Sequence, residues 1–154
     1  MDNSFGAVKD QNEITSDEKT LALFSHLSLF LGGIVLPIIF WATNKDKSKF
    51  VTFHALQSVW FHVAYIFMIV IVAMFAAIGG FGIAALMGGM PTKGHTGSSP
   101  IFAIVMIIVY GFIFLIVFAG IAYAIYMGVK AHKGELKKYP VIGNIIYKKV
   151  YGSN

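Results

Sequence analysis

The hydrophobic positions of this chain lie in three long runs, and short polar segments separate these runs. The runs cover residues 20–42, 50–90 and 101–129, and the polar segments between and after them hold most of the lysines. A helix needs about 20 apolar residues to cross a bilayer. The pattern therefore predicts an all-α integral membrane protein with three transmembrane helices.

The second apolar run is too long for one straight crossing. As a single helix it would be roughly 60 Å long, against a hydrocarbon core of about 30 Å. Gly79, Gly80 and Gly82 offer a break in the helix. We therefore predict a membrane helix at about 51–78 and an extension to 90 that is too short to cross again.

The first predicted span, 20–42, contains Gly33 and Pro37, and Trp41 ends it. Glycine and proline are tolerated in membrane helices where neighbouring groups satisfy the backbone. We expect a kink in this span. Trp41 is expected to be an interfacial anchor, because tryptophan is enriched at the membrane–water boundary.

The two ends of the chain differ in character. Residues 1–19 carry five acidic side chains and two lysines, and we expect a disordered acidic tail. The tail lacks the positive start of a signal peptide, and Thr15 or Ser16 is suited to cap the next helix. A helical membrane domain then covers 20–150. Its last part, about 140–150, has apolar residues at helical spacing, which predicts an interfacial amphipathic helix with Tyr139 and Pro140 at its entry.

The lysines suggest an orientation. Three crossings put the segment after the first span and the C-terminal segment on one side, and nine of the twelve lysines fall there. By the positive-inside rule, this side is cytoplasmic. We therefore predict a multi-pass protein of the prokaryotic plasma membrane, with its N-terminus outside and its C-terminus inside. Anionic lipid is the expected partner of the lysine-rich face.

The composition narrows the chemistry. The chain is 57% hydrophobic and 12% charged, with a mean hydropathy of +0.75, whereas soluble domains have about 25% charged residues. It contains no cysteine and no arginine, and the predicted spans contain no charged residue. Thiolate metal sites, cysteine nucleophiles and intramembrane carboxylate pairs are excluded. We predict no catalytic residue, metal or cofactor, and no nucleic-acid binding, since the C-terminal lysines lack a recognised motif.

One polar stripe enters the second span. His54, Gln57 and Ser58 fall on one helical face, and His62 lies two turns above His54. These groups either form hydrogen bonds that hold neighbouring helices together, or they contact a partner or a ligand. A metal site that uses His62 with His26 lacks further ligands at a defined spacing.

Small residues at four-residue spacing form two further stripes, which are typical of close helix packing. We predict helix packing at Gly80, Ala84, Gly120, Ala124 and Gly128. Because three helices bury little surface alone, we also expect a homo-oligomer or a membrane protein partner.

Six short motifs follow one another along the chain, at residues 21–28, 37–41, 45–51, 53–58, 130–135 and 139–140. Together they resemble a family of small bacterial membrane proteins that is distantly similar to Tic-twenty, the membrane subunit of the chloroplast inner-envelope import machinery. The resemblance covers about 18–148. It implies a compact helical membrane domain and a role associated with protein translocation.

The sequence thus predicts a non-enzymatic membrane protein that acts as an interaction or scaffold module in protein translocation or envelope maintenance. The alternative is a small oligomeric channel or transporter lined by His54, Gln57 and His62.

Overall fold

The computed structural model describes residues 14–31, 33–86 and 100–152, and the regular structure in these ranges is helical throughout. The helices are α1 (Ser16–Leu31), α2 (Val35–Asn44), α3 (Lys49–Leu86), α4 (Pro100–His132) and α5 (Ile142–Tyr151). The predicted all-α class is confirmed. Most of the predicted acidic tail, the end of the extension to 90 and the side chain of Ala84 lie outside the described residues.

The prediction of three membrane-crossing helices is wrong for the first one. Two helical stretches of the described chain are long and apolar enough to cross a membrane, Lys49–Ile83 and Ala103–His132. The predicted span 20–42 is divided between α1 and α2. Gly33 lies between them with φ +55°, a left-handed conformation that glycine adopts without steric cost and that ends a helix. The resulting helices of 16 and 10 residues are about 24 Å and 15 Å long, shorter than a hydrocarbon core.

The predicted break in the second span does not occur either. α3 continues through Gly79, Gly80 and Gly82 to Leu86. A glycine lowers helix stability by about 1 kcal/mol relative to alanine but keeps the backbone hydrogen bond, so these glycines weaken the helix without ending it. At Gly80 the missing side chain has a packing role, because a Cβ there would lie 3.2 Å from the sulfur of Met106 on α4.

The start of α1 follows the predicted cap. The backbone N–H of Thr15 donates to Glu18 Oε2 at 2.8 Å, and the N–H of Glu18 donates to Thr15 Oγ1 at 3.3 Å. This reciprocal pair is a capping box, in which each side chain satisfies a helix-terminal N–H that has no partner within the helix.

The described chain forms two compact units. Unit 2 comprises residues Tyr65–Gly120, and its two helical segments belong to α3 and α4. The phenol of Tyr65 donates to the carbonyl of Val117 at 2.7 Å, and its ring lies against Gly120. Most of the large apolar side chains of this unit are exposed, including those of residues 67, 75, 107, 114 and 115. Such a surface is unsuited to water and suited to hydrocarbon.

Unit 1 comprises the residues up to Ala64 and those from Ile121 onward. It contains α1, α2, α5 and the ends of α3 and α4 that carry Lys49 and His132. A small apolar cluster of Ala22, Phe50 and Ala131 joins α1 to α3 and α4. Unusually, this unit also buries many polar side chains, among them three histidines. These polar groups form the candidate site.

Candidate functional site

Four polar side chains meet in the interior of unit 1, and we call them the histidine cluster: His26, His54, Ser58 and Tyr139. His26 Nε2 lies 3.1 Å from His54 Nδ1, and its Nδ1 lies 3.1 Å from the Tyr139 hydroxyl and 2.9 Å from Ser58 Oγ. All four residues are at most 3% exposed. Because His26 bonds to the three others, it is the centre of the cluster.

Close helix packing brings His26 to this position. It lies on the buried face of α1 with Ala22 and Ser25. A Cβ on Gly128 of α4 would lie 3.0 Å from Leu23 Cδ1 and 3.5 Å from His26 Cβ. The glycine therefore lets α4 approach α1 closely, which is the contact that small residues allow between membrane helices.

Gln57 connects α3 to the segment before α5. Its side-chain oxygen accepts the backbone N–H of Tyr139 at 2.8 Å, and its side-chain nitrogen donates to the carbonyl of Lys137 at 3.2 Å. The Gln57 side-chain amide thus makes one donated and one accepted hydrogen bond with the backbone of residues 137–139, as a neighbouring β-strand would. Gly143 is essential to this contact, because a Cβ there would lie 2.7 Å from Gln57 Oε1 and 2.6 Å from Lys138 Cβ.

Tyr139, predicted as an interfacial residue, is placed inside unit 1 at 3% exposure. Its ring stacks on Phe61 with centroids 4.6 Å apart and an interplanar angle of 13°. Burial raises the pKa of its phenol, and Tyr123 raises it further, so the hydroxyl stays protonated and can donate to His26. The other predicted interfacial residues differ: Trp41 is partly exposed and Pro140 is exposed.

His62 is buried but stands apart from the cluster. Among the described residues, neither of its ring nitrogens has a hydrogen-bond partner, although the backbones of His26 and Gly33 lie near the ring. His54 Nε2 is likewise buried and has no hydrogen-bond partner within the described ranges, although the backbone of Glu135 lies near the ring. The structure therefore joins His54, Gln57 and Ser58 of the predicted stripe to other elements, and it buries His62 without a hydrogen-bond partner for its ring.

The predicted packing residues take different positions. Gly128 lies against α1 in unit 1, where Ala124 is fully buried, whereas Gly120 and Gly80 pack against Tyr65 and Met106 in unit 2. α3 thus meets α4 at small residues in unit 2, and α1 meets α4 at Gly128 in unit 1.

Sequence reasoning missed that His26 and Tyr139 belong with His54. They are separated from each other by 113 positions, and no spacing rule connects them. The available signal was chemical: most buried polar side chains have a hydrogen-bond partner, so a histidine within an apolar stretch indicates a polar partner elsewhere in the fold. Among the described residues, no group of three or more His, Cys, Asp or Glu side chains could hold a metal ion.

Comparison with known families decides the identity. The model of the MamF/MmsF family, described as the magnetosome magnetite crystal formation protein family, matches residues 17–146. The chain belongs to this family. Comparison with curated proteins and with solved structures gives no significant match.

The MamF/MmsF match overturns the resemblance to Tic-twenty, which is wrong. The motifs behind that resemblance include apolar helix ends, lysine-rich segments and a tryptophan at the end of an apolar run. Unrelated membrane proteins acquire such features independently, because the bilayer imposes them. The expectation of a role in protein translocation depended on this resemblance and is withdrawn with it.

The histidine cluster predicts a loss of stability in acid. Burial lowers the pKa of His26, which lies on α1 outside the two membrane-crossing helices, and the neighbouring His54 and His62 lower it further. The groups that face His26 are these two imidazoles, Ser58 and the neutral phenol of Tyr139. The unfolded chain, with an ordinary histidine pKa of about 6.5, therefore binds a proton first as the pH falls.

We expect the melting temperature of the detergent-solubilised MamF/MmsF protein to be constant above about pH 7 and to fall as the pH drops below about 6.5. The H26Q variant should be less stable at about pH 7.5 but should show a shallower pH dependence. The variant H132Q, at an exposed histidine, should keep the wild-type slope. A wild-type melting temperature that is flat from about pH 7.5 to about pH 5 would contradict a neutral buried His26.

Proposed function

We propose that this MamF/MmsF protein is a non-enzymatic interaction module of the magnetosome membrane that acts in magnetite crystal formation. The family match over residues 17–146 supports the process. The apolar helical stretches Lys49–Ile83 and Ala103–His132, each with an 18-residue apolar window of which at most 6% is buried, support a membrane location. The family and these two stretches together support a location in the magnetosome membrane. The histidine cluster supports a structural connection between α1, α3 and the segment before α5.

The orientation that we propose has two crossings. Lysines at 45, 47 and 49 lie just before and at the start of α3, and lysines at 130 and 133 lie at the end of α4. Both lysine groups then lie on one side of the membrane, which the positive-inside rule makes cytoplasmic. The N-terminus lies on that side too, and this replaces the outside position that three crossings required.

The buried site supports a structural role for the polar stripe. His54 and Ser58 are hydrogen-bonded to His26 of α1, and the Gln57 side chain donates to the carbonyl of Lys137 and accepts the N–H of Tyr139. A channel lined by this stripe is not supported, because the side chains of His54, Gln57 and His62 are 0% exposed. Our proposal depends on one observation. The polar side chains of α3, a membrane-crossing helix, hold α1 and the C-terminal segment through hydrogen bonds.

The function can be tested in a magnetite-forming bacterium that lacks its own protein of this family. Expression of the wild-type chain should restore the size of the magnetite crystals, measured by electron microscopy. The Q57A variant should insert into the membrane but restore crystal size only in part, because the C-terminal segment loses its attachment to α3. Membrane insertion is measured separately as resistance to alkaline extraction.

The matched control is T43A. The Thr43 hydroxyl is exposed and donates to carbonyls of its own helix, Ile39 and Phe40. This variant should behave as wild type. If the wild-type chain inserts but leaves crystal size unchanged, the proposed function is wrong. If Q57A and T43A restore crystal size equally, the attachment of the C-terminal segment is irrelevant to the function.

A further inference from the structure

A groove of about 240 Å³ lies between α5 and the segment before it. It is lined by Lys138, Asn144, Tyr147, Lys148, Tyr151 and Gly152, all of unit 1. One water occupies about 30 Å³ in the liquid, so the groove has room for a small polar group such as a phosphate with its neighbouring atoms.

The groove is positively charged. Lys138 and Lys148 line it and are exposed, and neither forms an ion pair with a described residue. The ammonium of Lys138 lies 3.7 Å from the centroid of the Tyr147 ring, a cation–π contact that holds the charge at the groove. Lys49 does not line the groove, but its ammonium lies 6.0 Å from the centroid of the Tyr151 ring.

The tyrosines of the groove supply neutral donors. The rings of Tyr147 and Tyr151 stack with centroids 4.9 Å apart. Burial raises the pKa of Tyr151, and Tyr147 and Glu18 raise it further, so its hydroxyl keeps its proton at neutral pH. Glu18 is the acidic group that acts on Tyr151, and its carboxylate accepts the N–H and hydroxyl of Thr15. Ammonium groups beside phenolic donors suit a phosphate oxygen better than a neutral ligand.

The backbone fixes this arrangement. Val141 has φ +63° and ψ −64°, and the N–H of Ile142 donates to the carbonyl of Pro140 at 2.7 Å. This is a strained γ-turn that non-glycine residues rarely adopt. The turn leads directly from the segment held by Gln57 into α5, so it sets the direction of α5 and brings Lys148 to the same groove as Lys138.

The groove also lies at the polar end of a membrane-crossing helix. Tyr147 and Tyr151 pack on Phe53 with centroids 5.8 Å and 5.9 Å apart. Phe53 is about one turn from Lys49, where the apolar stretch of α3 begins. Lysine and tyrosine at this level of a membrane protein meet the headgroups of lipids.

We propose that this groove binds the phosphate of an anionic phospholipid headgroup. Lys138 and Lys148 contact the phosphate oxygens, and the hydroxyls of the two tyrosines donate to it. This inference rests on the proposed membrane location but not on the role in magnetite formation. The binding test below therefore fails or succeeds independently of crystal size.

The test uses the purified full chain in a neutral detergent, titrated with short-chain phosphatidylglycerol, short-chain phosphatidylcholine or inorganic phosphate. We expect saturable binding of phosphatidylglycerol. The double variant K138Q/K148Q should weaken it by about 25-fold, roughly fivefold for each lysine. K138R/K148R, which keeps both charges, should retain most of the affinity.

The matched control is K137Q/K149Q. It removes two exposed lysines that are the chain neighbours of Lys138 and Lys148 but do not line the groove. It should weaken binding by less than about threefold. Equal loss in both double variants would overturn the groove in favour of general attraction between lysines and anions. Inorganic phosphate that binds as tightly as phosphatidylglycerol, or phosphatidylcholine that binds equally well, would overturn the anionic headgroup as the ligand. Unchanged circular dichroism and melting temperature in all variants ensure that the fold is retained.

Discussion

Replacing His26 with alanine is expected to destabilise the protein by about 3–5 kcal/mol, one of the two largest effects of a single substitution that the structure predicts. The substitution removes the His26 imidazole from Tyr139 Oη, Ser58 Oγ and His54 Nδ1, and of these groups the Ser58 hydroxyl keeps its hydrogen bond to the carbonyl of His54. It also leaves a cavity where an imidazole was fully enclosed. Buried polar groups without partners carry a desolvation penalty that no water can relieve if the cavity stays dry.

The measurement for H26A is thermal unfolding of the protein in detergent micelles, followed by circular dichroism. The matched control is H132A, since His132 is exposed and ends α4, and it should lower stability by less than about 0.5 kcal/mol. Limited proteolysis gives a second readout: H26A should become more sensitive between α4 and α5, where Tyr139 is released. Equal stability of H26A and H132A would show that the histidine cluster does not hold unit 1 together.

The second large effect is expected at Gly120. An alanine there would place its Cβ 2.8 Å from the hydroxyl of Tyr65 and even closer to its ring. The ring cannot move freely, because the phenol donates to the carbonyl of Val117 at 2.7 Å. G120A should therefore separate the two helical segments of unit 2 or break this hydrogen bond, with a loss of about 1–3 kcal/mol.

Gly111 gives the control for Gly120 on the same helix. No atom of the residues that the structure describes lies within 4 Å of a Cβ placed at Gly111. G111A should be neutral or slightly stabilising, because alanine favours helix by up to about 1 kcal/mol over glycine. In a Y65A background the obstructing ring is absent, so adding G120A there should lower stability much less than adding it to the wild-type chain. If G120A is as stable as G111A, the close contact between Tyr65 and α4 is not part of the folded protein.

The sequence predicted both ends of α4 and α5 and the start of α3 to within a few residues. It was wrong about the break after residue 78, since α3 continues as one helix to Leu86. Apolar runs of this length have few alternatives, because the backbone in hydrocarbon must satisfy its hydrogen bonds internally. The first span was wrong for a local reason. Hydropathy cannot distinguish a kinked helix from two helices joined by a left-handed glycine, and the φ of Gly33 decides between them.

The candidate site was predictable only in part. The polar stripe of His54, Gln57 and Ser58 follows from helical spacing within one segment. Its partners do not, because Gln57 bonds to residues 80 and 82 positions away. Tyr139 shows the same limit: a tyrosine beside a proline at the end of an apolar domain is typical of an interface, yet it is stacked on Phe61 inside unit 1.

By itself, the sequence determined that this MamF/MmsF protein is helical, rich in exposed apolar surface and positively charged near the ends of its longest helices. These properties follow from composition and periodicity, which each segment carries alone. The tertiary structure decided that His26 and His54 are buried together with Tyr139 and that Lys138 and Lys148 share one groove. Those outcomes depend on contacts between residues far apart in the chain, whose side chains meet only when glycines such as Gly128 and Gly143 allow their backbones to approach.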